Sequence, residues 1–113
     1  MLIEIKSSSG NTLYSHDCDK NSLKITVEAA IKEKISLREA DLRYADLREA
    51  DLREANLREV DLRYANLRYA DLRYADLCEA DLSYADLIGA NMSYANLQYA
   101  ILFNGYKLTK LEN

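Results

Sequence analysis

From Ile35 to Asn104 the chain repeats every five residues, and nothing else in it restricts the fold so tightly. Leu stands at the centre of each unit from Leu37 to Leu87, Met92 takes the next centre, and Leu97 and Leu102 follow. Two residues before each centre sits a small apolar residue, from Ala40 through Ala100, with Ile35 and Val60 as larger exceptions. Asp or Asn comes just before the centre, from Asp41 to Asn96. The run holds fourteen such units, no Pro and one Gly, Gly89. A helix repeats its faces about every 3.6 residues and a strand every two. A period of five fits neither. The backbone has to turn identically in each unit, which makes a solenoid.

At 113 residues the chain is one folded unit. A solenoid of this size has a narrow core along its axis, and each turn is covered only by its neighbours. The net charge is −4. The repeat carries eight Arg, eight Asp and five Glu, a balance of −5, and the flanks add +1. That mixing disfavours direct nucleic-acid binding, which calls for a basic face. No apolar run reaches the length of a membrane span, and residues 1–6 lack the apolar core of a signal peptide. A cytoplasmic protein is expected, with Cys18 and Cys78 as free thiols. Cys78 takes an outward position where Arg usually stands, so its thiol is expected to be solvent-accessible.

The pattern Ala-(Asp/Asn)-Leu-x-x, as in Ala45-Asp46-Leu47-Arg48-Glu49, resembles that of the pentapeptide repeat family over 70 of the 113 residues. The resemblance implies an all-β solenoid, a right-handed quadrilateral β-helix with four units per coil and about 3.5 coils here. At strand spacing such a shaft is about 17 Å long. Leu and Ala then point inward and the last two residues of each unit outward. The short Asp or Asn side chain turns the corner by bonding nearby backbone N–H groups. Residue i lies over i+20, so Leu42, Leu62, Leu82 and Leu102 form one interior column.

Three segments are expected: 1–34, 35–104 and 105–113. Leu2 to Lys6 and Thr12 to His16 read as a β-hairpin around Ser7 to Asn11. Asp19 to Ser22 offers N-cap residues, and Leu23 to Lys34 carries Leu23, Val27, Ala30 and Ile31 at helical spacing. Hairpin and helix are expected to cap the first coil. The tail from Gly105 reads as a short strand. Leu97, Ile101, Leu102, Phe103, Tyr106 and Leu108 are expected to form an apolar end that joins two copies as a homodimer.

Function has to lie on the outward positions. Arg fills the first of these from Arg38 to Arg73, with Glu39, Glu49, Glu54 and Glu59 expected to offset it. The second holds Tyr or Glu. The twenty-residue rule stacks Tyr44, Tyr64 and Tyr84 in one column and Tyr74 and Tyr94 in another, while Tyr69 stands alone. These columns support the shaft as cross-strand aromatic pairs do, and they are the candidate interaction surface. Catalytic chemistry is thin. His16 is the one histidine, no Cys/His set has metal spacing, and no Gly-rich loop cradles phosphate. A filled shaft is expected to offer no concave pocket. The reading is a non-catalytic structural or protein-interaction module, with no metal, cofactor, membrane or direct nucleic-acid partner and an unknown protein partner. The alternative is a mimic of duplex DNA that binds a type II topoisomerase (gyrase), as some pentapeptide repeat proteins do. The Arg belt and the short shaft weigh against it.

Overall fold

The computed structural model describes residues 1–102. Strand β1 (Leu2–Lys6) pairs antiparallel with β2 (Thr12–Asp17), and Ile5 stands opposite Tyr14. Alternation buries Ile5 and leaves Glu4 and Lys6 outside. The link turns at Gly10, whose φ of +95° favours glycine. The expected hairpin is present, with β2 one residue longer than Thr12 to His16.

Helix α1 (Leu23–Lys32) starts where Ser22 caps it, the Ile25 N–H donating to Ser22 Oγ at 3.1 Å. It ends two residues before the expected Lys34. Ile35 N–H donates to the Ala30 carbonyl and Lys34 N–H to the Ile31 carbonyl. Lys34 itself adopts φ +61°. This is a Schellman stop with a lysine in the left-handed position that glycine usually fills. Val27 and Ala30 are fully buried, and Leu23 and Ile31 are partly buried against the same core.

The repeat closes on itself every twenty residues. Parallel bridges join Asp41 to Asp61, Asp46 to Asn66, Asp51 to Asp71 and Asn56 to Asp76, and continue to Asp81 with Ile101. Leu62 N–H donates to the Asp81 carbonyl at 2.8 Å, and Asp61 N–H donates to the Ala40 carbonyl at 2.9 Å. Within the unit, Ala65 N–H donates to the Leu62 carbonyl at 3.0 Å. Tyr64, the third residue of that turn, has φ +63° and Arg63, the second, does not share it. Positive φ at the third position alone identifies a type II turn. The same conformation recurs at Glu39, Tyr44, Glu49, Glu54 and onward to Tyr99. Each non-glycine residue there costs roughly 1–2 kcal/mol, so packing and the ladder have to offset it.

The packing is tight. Leu37 through Leu82 are at most 2% exposed, and Ala40 through Ala85, with Val60 among them, at most 4%. Leu87, Leu97 and Leu102 are only partly buried.

The N-terminal elements meet the first coil by backbone as well as by side chain. Asp41 N–H donates to the Lys6 carbonyl and Ser8 N–H to the Glu39 carbonyl, at 2.7 and 2.8 Å. On the next-but-one face Glu28 of α1 replaces a missing rung: its Oε2 accepts the Asp51 N–H at 2.8 Å. No helix among the described residues is long and apolar enough to cross a membrane.

Candidate functional site

The outer surface begins with the corner residues. Asp41 Oδ1 accepts the Arg43 N–H at 3.3 Å, and this Asx turn recurs through Asn96 and Gln98. Arg43, Arg48, Arg53, Arg63 and Arg73 also fold back on the Asp two residues earlier. Each donates from Nε and a terminal nitrogen at 2.7–2.9 Å. Where the corner is Asn, the guanidinium reaches one coil onward: Arg58 to Asp76 at 3.1 Å and Arg68 to Asp86 at 2.5 Å. Arg38 follows Ser36 and pairs instead with Glu59 at 3.2 Å. The belt is therefore neutralised by corner aspartates. The expected offset by glutamates takes the form of an ion pair at Arg38, which also lies 3.8 Å from Glu39, while Glu49 and Glu54 act on Arg48 and Arg53 through their field alone.

These contacts hold the carboxyls below their ordinary range. Hydrogen bonding from Arg53 takes Asp51 down to about 2, and Arg43, Arg48, Arg63 and Arg73 lower Asp41, Asp46, Asp61 and Asp71 in the same way. A folded-state pKa below the unfolded one stabilises above the unfolded value, about 3.9, and that stability disappears as pH falls through the folded value. The melting temperature is therefore expected to fall progressively between about pH 4 and pH 2. Scanning calorimetry across that window checks it, and 1 M salt should flatten the dependence because the pairs are exposed.

The Tyr columns come next. Tyr44, Tyr64 and Tyr84 stack with centroids 5.1 Å apart and planes within 8°. Tyr74 and Tyr94 stack at 5.2 Å. All five rings remain exposed, so they are brought together in two ladders on opposite corners. Tyr69 stacks on no other ring among the described residues, as expected for a tyrosine between Glu49 and Gly89 in its column. Its ring lies over Gly89, where an added Cβ would meet it at 2.4 Å, so glycine here leaves room for the ring. Tyr99, absent from the expected columns, lies on the glutamate corner one coil beyond Glu79 and is also exposed.

A feature with no sequence signal is the groove where α1 crosses the shaft. Ile31, Lys32 and Lys34 face Arg53, Glu54 and Tyr74 across it, with Glu28, Asp51 and Arg73 completing the lining. A second groove at the N-terminal end of α1 runs beside Lys24, Asp46, Arg48 and Glu49. The expectation of a shaft without concavity fails because the helix, docked on it, supplies the missing wall.

A profile of the family "Pentapeptide repeats" matches residues 35–73 and 70–104 with eight copies. The chain belongs to the pentapeptide repeat family. A solved pentapeptide repeat protein from Nostoc Pcc 7120 is 34% identical, the match covering 71% of this chain and 80% of that one, with a TM-score of 0.38. No match was found among curated proteins. Membership implies the right-handed β-helix and a repeat module of a generally non-catalytic kind.

Within this pentapeptide repeat protein, Cys78 departs from expectation. The residue is 6% exposed, and so buried. Arg58, one coil earlier in the same column, reaches over to Asp76, two residues before Cys78. Ser83 is buried in the same way beside Arg63, which lies 3.7 Å from Asp81. Cys18 and Cys78 are both free. Among the described residues no group of three or more His, Cys, Asp or Glu is placed to hold a metal ion. Of the expected dimer end, Leu97 and Leu102 are half-buried and Ile101 is exposed. Phe103, Tyr106 and Leu108, and the strand expected in 105–113, lie outside the described residues.

Proposed function

We propose that this pentapeptide repeat protein is a non-catalytic interaction module of about 3.5 coils, capped at its first coil by the hairpin and α1. One observation carries the reading. The Arg and Asp side chains of the repeat are tied to one another, whereas the rings of Tyr44, Tyr64, Tyr84, Tyr74 and Tyr94 stay exposed in ordered ladders. Tyr presents a rigid amphipathic surface at little entropic cost and is enriched at interfaces. Ladder stacking contributes only roughly 0.2–1 kcal/mol per pair, which leaves the rings available for a partner. The Ser8–Glu39 and Glu28–Asp51 connections support the capping role of residues 1–34.

The test replaces Tyr44, Tyr64 and Tyr84 by Ser together. The expected cost is about 0.5–2 kcal/mol for two lost stacks, with the fold intact by circular dichroism. Partner capture from the source cell by wild type, lost in the triple variant, is the expected result. A collapse of the melting transition instead assigns the ladder to structure alone.

A homodimer through the far end is the proposed assembly, supported by exposed Ile101 beside half-buried Leu97 and Leu102. A light-scattering mass of one chain at high micromolar concentration would refute it. The proposed compartment is the cytoplasm, supported by the two free thiols.

A further inference from the structure

We infer that the groove between α1 and the shaft receives an acidic segment of a partner protein, anchored by an apolar or aromatic side chain. This rests on the reading of the chain as an interaction module and places a second, chemically distinct contact on it.

Charge is the first argument. The chain as a whole is acidic at −4, yet the groove is lined by Lys32, Lys34, Arg53 and Arg73 against Glu28, Asp51 and Glu54, and Asp71 just outside it is tied to Arg73 at 2.7 Å. The acids there are already engaged. Asp51 accepts from Arg53 at 2.8 Å, and Glu28 holds Lys24 at 3.2 Å and the Asp51 N–H. Glu54 lies in the field of Arg53. Lys32 and Lys34 have no carboxylate partner among the described residues. They are the free charges of the groove, and they attract acid.

The apolar part is the second argument. Ile31 and Tyr74 share the lining with the lysines. The Tyr74 ring stacks on Tyr94, so the aromatic surface continues one coil beyond the groove along the shaft. An extended partner segment can set carboxylates on Lys32 and Lys34 and a ring or branched side chain on the Tyr74–Tyr94 edge. The groove at the N-terminal end of α1 makes the contrast. Its charged lining, Lys24 and Arg48 against Asp46 and Glu49, sums to zero, and no tyrosine borders it.

The test is a fluorescence-anisotropy titration of the full chain with a short labelled peptide alternating Asp and Phe. Controls replace Asp by Lys, or Phe by Ser. Saturable binding of the Asp-Phe peptide alone is expected, weakening as salt rises. The variant Lys32→Gln/Lys34→Asn removes both charges, and Asn keeps the left-handed backbone at 34 accessible. It should bind about fivefold or more weakly with an unchanged melting curve. Tyr74→Ser should weaken binding as well, and Glu54→Gln should tighten it. If the double variant melts differently, Lys32→Gln alone serves as the reporter. Absence of saturable binding overturns the proposal, as does equal binding of the Lys-Phe peptide, or binding unaffected by losing the lysines. Displacement of the Asp-Phe peptide by a single-stranded DNA oligomer would also overturn it, because a phosphate site would then be the better description. A partner lost from the Tyr44, Tyr64 and Tyr84 variant while the groove binds no peptide would remove this proposal and leave the interaction module standing.

Discussion

Deleting Arg63 alone should unfold the protein, whereas deleting the twenty residues 61–80 should leave a shorter, folded one. The larger deletion joins Val60 to Asp81. Asp81 then follows Val60 as Asp61 did, and its N–H meets the Ala40 carbonyl that Asp61 now occupies. Leu82 enters beneath Leu42 where Leu62 stood, and Tyr84 stacks on Tyr44. Every bridge 20 residues apart is re-formed by an equivalent residue. The cost is one coil-to-coil interface, so the melting temperature falls but cooperativity remains. The single deletion has no such escape. It leaves Leu62-Tyr64-Ala65, and the turn that closes from Ala65 N–H to the Leu62 carbonyl loses its second residue. No four-residue unit can return Leu, Ala and Asp to their places on the next face. Residues 35–62 make little more than one coil, covered on one side by the hairpin and α1 and bare on the other without the coils that follow. Far-UV circular dichroism and urea melts of both variants decide the matter. A cooperative transition in the Arg63 deletion, or none in the 61–80 deletion, would contradict the account.

What the sequence makes legible here is whatever each five-residue unit decides for itself. Leu, Ala and Asp or Asn recur with few exceptions, such as Met92 and Val60, so the interior columns and the Asx corners are legible in the sequence. Ser22 announces α1 in the same local way. The glutamates look like the natural partners of the Arg belt because they are adjacent in sequence. Yet Asp41 and Arg43 flank the inward Leu42 and so share the outer face, and that alternation was the available signal. The left-handed turn residues were hidden by their identity, since Tyr and Glu fill a position glycine favours. The one Gly of the run, Gly89, falls at that position and is the clue. Lys34 hides the end of α1 for the same reason. Cys78 could not be placed from its own unit: its column neighbour Arg58 is twenty positions away and is drawn toward the Cys78 unit by Asp76. The groove depends on how α1 lies across two faces of the shaft, a tertiary fact with no local trace. The proposed contacts with other molecules lie among these less regular features.

Leu62→Ala should cost about 2–5 kcal/mol, with the loss near the upper end. Leu62 is fully buried, between Leu42 above and Leu82 below in the same column. A globular core relaxes into such a cavity by shifting elements. Here the coils are held apart by backbone bonds on both sides, from Leu62 N–H to the Asp81 carbonyl and from Asp61 N–H to the Ala40 carbonyl. The walls cannot close without breaking the ladder, so the lost contacts are not recovered. A protein of this length has a total stability of about 6–17 kcal/mol, so the melting temperature should drop on the order of 10 °C or more. Two comparisons make the origin visible. Leu62→Met should cost under about 1.5 kcal/mol, since Met92 already fills an equivalent centre and is buried there. Leu97→Ala should cost less than Leu62→Ala, because Leu97 is only partly buried. Urea unfolding of the three variants measures the order directly. If Leu62→Ala and Leu97→Ala lose the same stability, neighbouring coils do not hold the spacing rigid, and the energy of the shaft is not a sum over its interfaces.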